Sequence, residues 1–74
     1  MEYSGILSVI GNAVRKERRH RGWTQERLAE MSHVDRSFLS KIERGEVNVS
    51  VLTLCEIVKA LNVNIIELFA NNGK

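Results

Sequence analysis

The chain contains no proline, a single cysteine, and aromatic residues at only 5% of its positions. One cysteine excludes a disulfide framework and a cysteine-based metal site, and it is compatible with a reducing compartment. So few aromatics argue against a reader of single-stranded RNA, which needs rings for bases to stack on. No apolar run approaches the ~18 residues of a membrane span. Met1 is followed by Glu2 rather than by a basic and then apolar leader, so no signal peptide is expected. The sequence has no glycine-rich phosphate loop, no nucleophile elbow and no paired catalytic carboxylates. His20, His33 and Cys55 are scattered over three elements without metal-ligand spacing. A chain of 74 residues also leaves no room for a deep pocket. These absences set aside an enzyme, a cofactor, a metal and a small-molecule ligand. Strand signals, repeats and linkers are missing too.

What remains is 43% hydrophobic, typical of a globular protein and too much for a disordered one. The expectation is one domain over residues 1–74 with a core between residues 6 and 70. A domain so small needs efficient helix packing or a partner subunit. The net charge of +2 is weakly basic, but its distribution says more. Arg15 to Arg21 holds five Arg or Lys against one Glu, whereas Leu52 to Lys74 holds two Lys against two Glu. Positive charge is concentrated in the first half.

The central stretch, TQERLAEMSHVDRSFLSKIERG from Thr24 to Gly45, reads as two short helices joined by a tight corner. The first is Gln25 to Met31 behind a Thr24 cap; the second is Arg36 to Glu43 behind an Asp35 cap. Leu28, Ala29, Met31, Val34, Leu39 and Ile42 can converge inside the corner. Arg36, Ser37, Ser40 and Lys41 are left outside. That arrangement is the sequence form of a helix-turn-helix reader of DNA.

Around it, Tyr3 to His20 reads as a first helix with the stripe Ile6, Leu7, Ile10, Val14 and Arg18. Arg21-Gly22 stops it, and Trp23 is placed to pack on the core, with Leu28 as its staple partner. Ser50 caps a fourth helix, Val51 to Leu61, whose inward stripe is Val51, Leu54, Ile57, Val58 and Leu61. Asn64 to Glu67 has the form of a capping box opening a fifth helix, Ile65 to Ala70. Asn71 to Lys74 should fray. The expected fold is all-α, five helices around one core. Glu26, Glu30 and Glu56 read as solvated faces.

Taken as an ordered set, these residues resemble the lambda-repressor-like, or Xre-type, helix-turn-helix domains. The resemblance is carried by Arg18, Gly22, Thr24-Gln25-Glu26, Leu28-Ala29, Asp35-Arg36-Ser37, Leu39-Ser40 and Ile42 to Gly45. Ser50, Ile57, Ala60 to Val63 and Leu68-Phe69 complete it. Within that family, a free-standing domain with DRSFLSKIERG is similar to the controller proteins of restriction–modification systems; antitoxins and short phage repressors share the same residues.

The resemblance implies a cytoplasmic transcription regulator of bacterial or phage origin, acting as a homodimer on palindromic double-stranded operators. It brings in two dimers on adjacent operators, and RNA polymerase, as further partners. It implies a phosphate clamp at Thr24 and Gln25, with Arg44 and Asn48 as further phosphate contacts. Arg15 and Arg19 are flanking candidates, which a solvated helix face explains equally well. The loop after Gly45, basic in many relatives, is here Glu46-Val47-Asn48, which weakens the expectation of a phosphate contact at Val47.

Base reading falls to the outer face of the second of the two helices. Arg36 can pair bidentately with guanine, Ser37 and Ser40 can donate or accept, and Lys41 can reach a base or a phosphate. Phe38 either packs on the core or touches a thymine methyl. Arg18 and Glu43 are charges placed toward the core, which must be paired; the resemblance pairs them with each other.

Leu52 and Cys55 lie off the inward stripe of the fourth helix, and Ile66 follows the fifth helix's cap. With Val47 and Val49 they form an apolar set that either covers the core from the side or forms a twofold dimer interface.

Overall fold

Four side chains start four of the helices of this structure, a computed structural model that describes residues 4–72. The helices are α1 (Ser4–His20), α2 (Gln25–Ser32), α3 (Arg36–Glu43), α4 (Val51–Ala60) and α5 (Ile65–Asn72). Thr24 Oγ1 accepts from the Arg27 amide at 3.1 Å, Asp35 Oδ2 from Phe38 at 3.2 Å, and Ser50 Oγ from Thr53 at 3.1 Å. Asn64 and Glu67 exchange bonds, Glu67 N to Asn64 Oδ1 at 2.7 Å and Asn64 N to Glu67 Oε1 at 3.0 Å. Each cap satisfies an amide that the first turn leaves without a helical partner, and the last is a reciprocal capping box.

The helix ends are equally local. Gly22, His33, Gly45 and Asn62 all take positive φ, between 59° and 71°. Each turns the chain so that the next amide reaches back to the last turn: Trp23 to the Arg18 carbonyl, Val34 to Ala29, Glu46 to Lys41 and Val63 to Val58. Glycine tolerates this conformation freely, and asparagine and histidine occupy it at modest cost. His33 therefore has a backbone role at the corner between α2 and α3.

Packing joins the helices in a closed ring of neighbours. α1 lies against α3 and α5, α2 against α3 and α4, and α4 against α5. The core they enclose contains Ala13, Val14, Leu28, Leu39, Ile42, Leu54, Ile57, Val58, Leu61 and Leu68. Ile10, Trp23, Phe38, Ile65 and Phe69 pack around its edge.

Several boundaries and faces differ from expectation. Tyr3, the expected start of the first helix, lies outside the described residues. α2 continues to Ser32, α4 ends at Ala60, and α5 runs through Asn71 and Asn72 instead of fraying at Asn71. Asn72 Nδ2 holds that end, donating to Glu17 Oε1 at 2.9 Å and to the Leu68 carbonyl at 2.8 Å; Gly73 and Lys74 lie outside the described residues. Met31 is exposed and Ser32 is buried in its place, because the Ser32 hydroxyl donates to the Leu28 carbonyl at 2.6 Å and carries no unpaired polar group inward. Ile6 and Val51 are also exposed. Both precede the core along their helices, Ile6 near the start of α1 and Val51 as the first residue of α4.

Candidate nucleic-acid interface

The period of α3 separates an inner face from an outer one. Leu39, Ile42 and Glu43 are buried, which turns Arg36, Ser37, Ser40 and Lys41 to the opposite side. Arg36, Ser37 and Lys41 are exposed and Ser40 is half-buried. Phe38 is half-buried and packs against the core.

Arg18 and Glu43 hold the inner side. Arg18 Nε donates to Glu43 Oε2 at 2.8 Å and Nη2 to Oε1 at 2.9 Å, with both side chains buried. Arg18 Nη1 donates to the Trp23 carbonyl at 2.7 Å, and Gln25 Nε2 to Glu43 Oε1 at 3.1 Å. The cluster thus ties α1, the α1–α2 turn and the first residue of α2 to the last residue of α3. A bidentate geometry with the other lone pairs and donors used is what a buried charge pair needs to offset its desolvation. Among the described residues, no buried side-chain nitrogen or oxygen lacks a partner.

Gly11 brings α1 onto α3 at the same end. A Cβ there would stand 2.7 Å from the Glu43 carbonyl oxygen and closer still to that of Ile42. A Cβ on Gly45 would stand 2.9 Å from Ser8 Cα. α1 and the end of α3 are therefore at backbone contact.

The residues expected to contact phosphate lie at the start of α2, just past α3, in the loop that follows and on α1. Thr24 uses its oxygen to cap α2, which leaves its hydroxyl hydrogen to donate. Gln25 is half-buried and spends one amide hydrogen on Glu43. Its role in the Arg18–Glu43 cluster was not legible from the α2 pattern. Arg36 forms an exposed ion pair with Glu26 at 3.1 Å, so Glu26 links the first turn of α2 to that of α3 rather than only covering a solvated face. Arg44, just past α3, donates to both oxygens of Glu46, Nε to Oε2 at 2.8 Å and Nη2 to Oε1 at 3.1 Å, and through Nη1 to Ser40 Oγ at 2.5 Å. That bonding holds the Glu46 carboxyl below its usual range and raises Arg44. Asn48 is exposed in the loop. Arg15 is turned along its own helix, donating to Asn12 Oδ1 at 2.6 Å, and Arg19 is exposed.

The apolar set divides in two. Leu52 and Ile66 are each 79% exposed and Cys55 is exposed, and Val51, expected in the core, joins them at 72%. Val47 and Val49 are half-buried against the chain's own core. An open groove at the corner of α4 and α5 is lined by apolar Cys55, Val58, Val63 and Ile65 together with polar residues that include Lys59 and Glu67.

Glu17 has a structural role that the sequence pattern does not show. It is buried beside α5, accepting from Asn72 and pairing with Arg21 at 3.5 Å. Its position in a run of basic residues hides that role. Among the described residues there is no group of three or more His, Cys, Asp or Glu that could hold a metal. Among the described residues, no helix is long and apolar enough to cross a membrane.

This fold is that of a helix-turn-helix domain. The helix-turn-helix family model matches residues 14–68, and the chain belongs to that family. It is similar to the restriction–modification controller protein C.AhdI of Aeromonas hydrophila: TM-score 0.88, 35% identity, covering 93% of this chain and 100% of that one. A second controller, C.Esp1396I, solved as a tetramer in complex with its natural 35 base-pair operator, matches with TM-score 0.83 and 34% identity over 96% of this chain and 91% of its own. The competence pilus inhibition repressor of Acinetobacter baylyi is 40% identical over 60 residues, 81% of this chain. The chain spans only 54% of that repressor's length.

Proposed function

We propose that the protein is the controller of a restriction–modification operon, a homodimer that binds palindromic operators through α3. The observation that carries this reading is the outer face of α3, with Arg36, Ser37 and Lys41 exposed on a helix fixed from behind by the buried Arg18–Glu43 pair. Arg36, Ser37, Ser40 and Lys41 read base edges in the major groove, and Thr24, Gln25, Arg44 and Asn48 grip the backbone on either side. Arg15 and Arg19 add long-range attraction for phosphate. The end-to-end likeness to a free-standing controller favours this over an antitoxin or phage-type repressor whose main partner is another protein.

Val51, Leu52, Cys55 and Ile66 form the dimer face in this reading, with Val47 and Val49 stiffening the loop behind it. A twofold axis there sets two α3 helices about one DNA turn apart, ~34 Å. Two dimers on adjacent sites, and contact with RNA polymerase, extend the same scheme. It operates in the bacterial cytoplasm, where the DNA is. Hydroxyl-radical footprinting on the DNA upstream of the protein's own gene tests the proposal. Two protected, symmetry-related half-sites support it; diffuse protection that vanishes at moderate salt contradicts it.

A further inference from the structure

The basic residue best placed to grip the backbone beyond α3 is already gripped. Arg44 presents Nε and Nη2 as a planar fork, the edge that binds a carboxylate or a phosphate with two parallel bonds. Glu46 fills that edge with both its oxygens, at 2.8 and 3.1 Å. Ser40 occupies Nη1. A phosphate cannot take the fork without removing Glu46.

The backbone holds the competitor in place. Gly45 adopts φ 70° against Ser8, and the Glu46 amide bonds the Lys41 carbonyl at 2.9 Å. Glu46 is thereby fixed in the turn that closes α3, two residues beyond Arg44. Its carboxylate can leave by rotating its side chain, while the turn stays closed.

We propose that Glu46 is an internal mimic of the DNA phosphate, occupying Arg44 in the unbound protein so that DNA must displace it. The inference rests on the reading of Arg44 as a phosphate contact. It adds a function for the acidic loop residue. Non-specific binding consists almost wholly of backbone contacts, whereas specific binding adds base contacts. Displacing Glu46 costs the same on any duplex, so the competitor lowers affinity for random and specific DNA by the same factor. Only the base contacts of α3 lift the specific complex above that lowered floor.

The test is a double-mutant cycle on binding to a random duplex at fixed salt, using the full chain with Glu46→Gln, Arg44→Ala and both. Both side chains are about half exposed, so the variants remain folded. Glutamine keeps the shape and removes the charge. The expected result is that Glu46→Gln tightens binding by about two- to fivefold, the range of an exposed ion pair. In the Arg44→Ala background the same change should tighten binding distinctly less, because only relief of charge repulsion is left. Equal tightening with and without Arg44 would mean simple relief of charge repulsion and would overturn the mimic. No tightening in the wild-type background would overturn it while leaving the Arg44 contact standing. If Arg44→Ala does not weaken binding, the phosphate contact itself falls, and the mimic with it.

Discussion

Arg18 and Glu43 join α1 to the last residue of α3 through two N–H···O bonds, 2.8 and 2.9 Å long, with both side chains buried. The pair lies on the inner side of α3 and fixes that helix to α1. Arg18→Met leaves the Glu43 carboxylate buried with Gln25 as its remaining partner. The expected loss is about 3–5 kcal/mol of stability, a large part of what a domain of this size has. Urea unfolding measures it. The double variant Arg18→Met with Glu43→Leu should recover much of the loss, because no charge is then left unpaired. A single variant as stable as the parent contradicts the burial of the pair.

Gly11→Ala separates packing from helix propensity. Alanine is the better helix former by about 1 kcal/mol, so an unconstrained site gains. Here the methyl meets the carbonyls of Ile42 and Glu43. The variant should lose about 1–3 kcal/mol, the range for overpacking. A rise in the unfolding midpoint would show that α1 and α3 are not in backbone contact.

Arg36→Ala addresses base reading. Specific binding should weaken by ~1–3 kcal/mol, and non-specific binding should change little. Competition between a selected site and random duplex gives both numbers. Equal losses on the two would reassign Arg36 to the backbone.

Leu52→Glu and Ile66→Glu test the dimer face. Both side chains are exposed, so each variant should fold normally and sediment as a monomer at concentrations where the parent is a dimer. Operator affinity should fall steeply, since two half-sites no longer bind together. An unchanged dimerisation constant removes these residues from the interface.

The helices were legible because their signals are local. Thr24, Asp35, Ser50 and Asn64 mark starts by their own side chains, and Gly22 and Gly45 mark stops by the backbone they allow. The inner and outer faces of α3 follow directly from its period. What escaped the pattern depends on contacts between elements. Ser32 is buried because a carbonyl one turn back satisfies it, which no hydrophobicity rule sees. Val51 continues the stripe of α4 but lies beyond the core. Glu17 and Asn72 meet across 55 positions. Gly11 looks like an indifferent helix residue until α3 is laid across it. In the site, Arg36 and Arg44 read as open cations from the sequence, and the fold shows each already holding a glutamate.

The most direct measurement is selection of bound sequences from a random duplex library, followed by sedimentation of the winning complex. A dimeric reader selects a palindrome with half-sites about one helical turn apart, bound by two subunits or by two dimers. A single unpaired site bound by one subunit, or no enriched sequence at all, would contradict a dimeric reader.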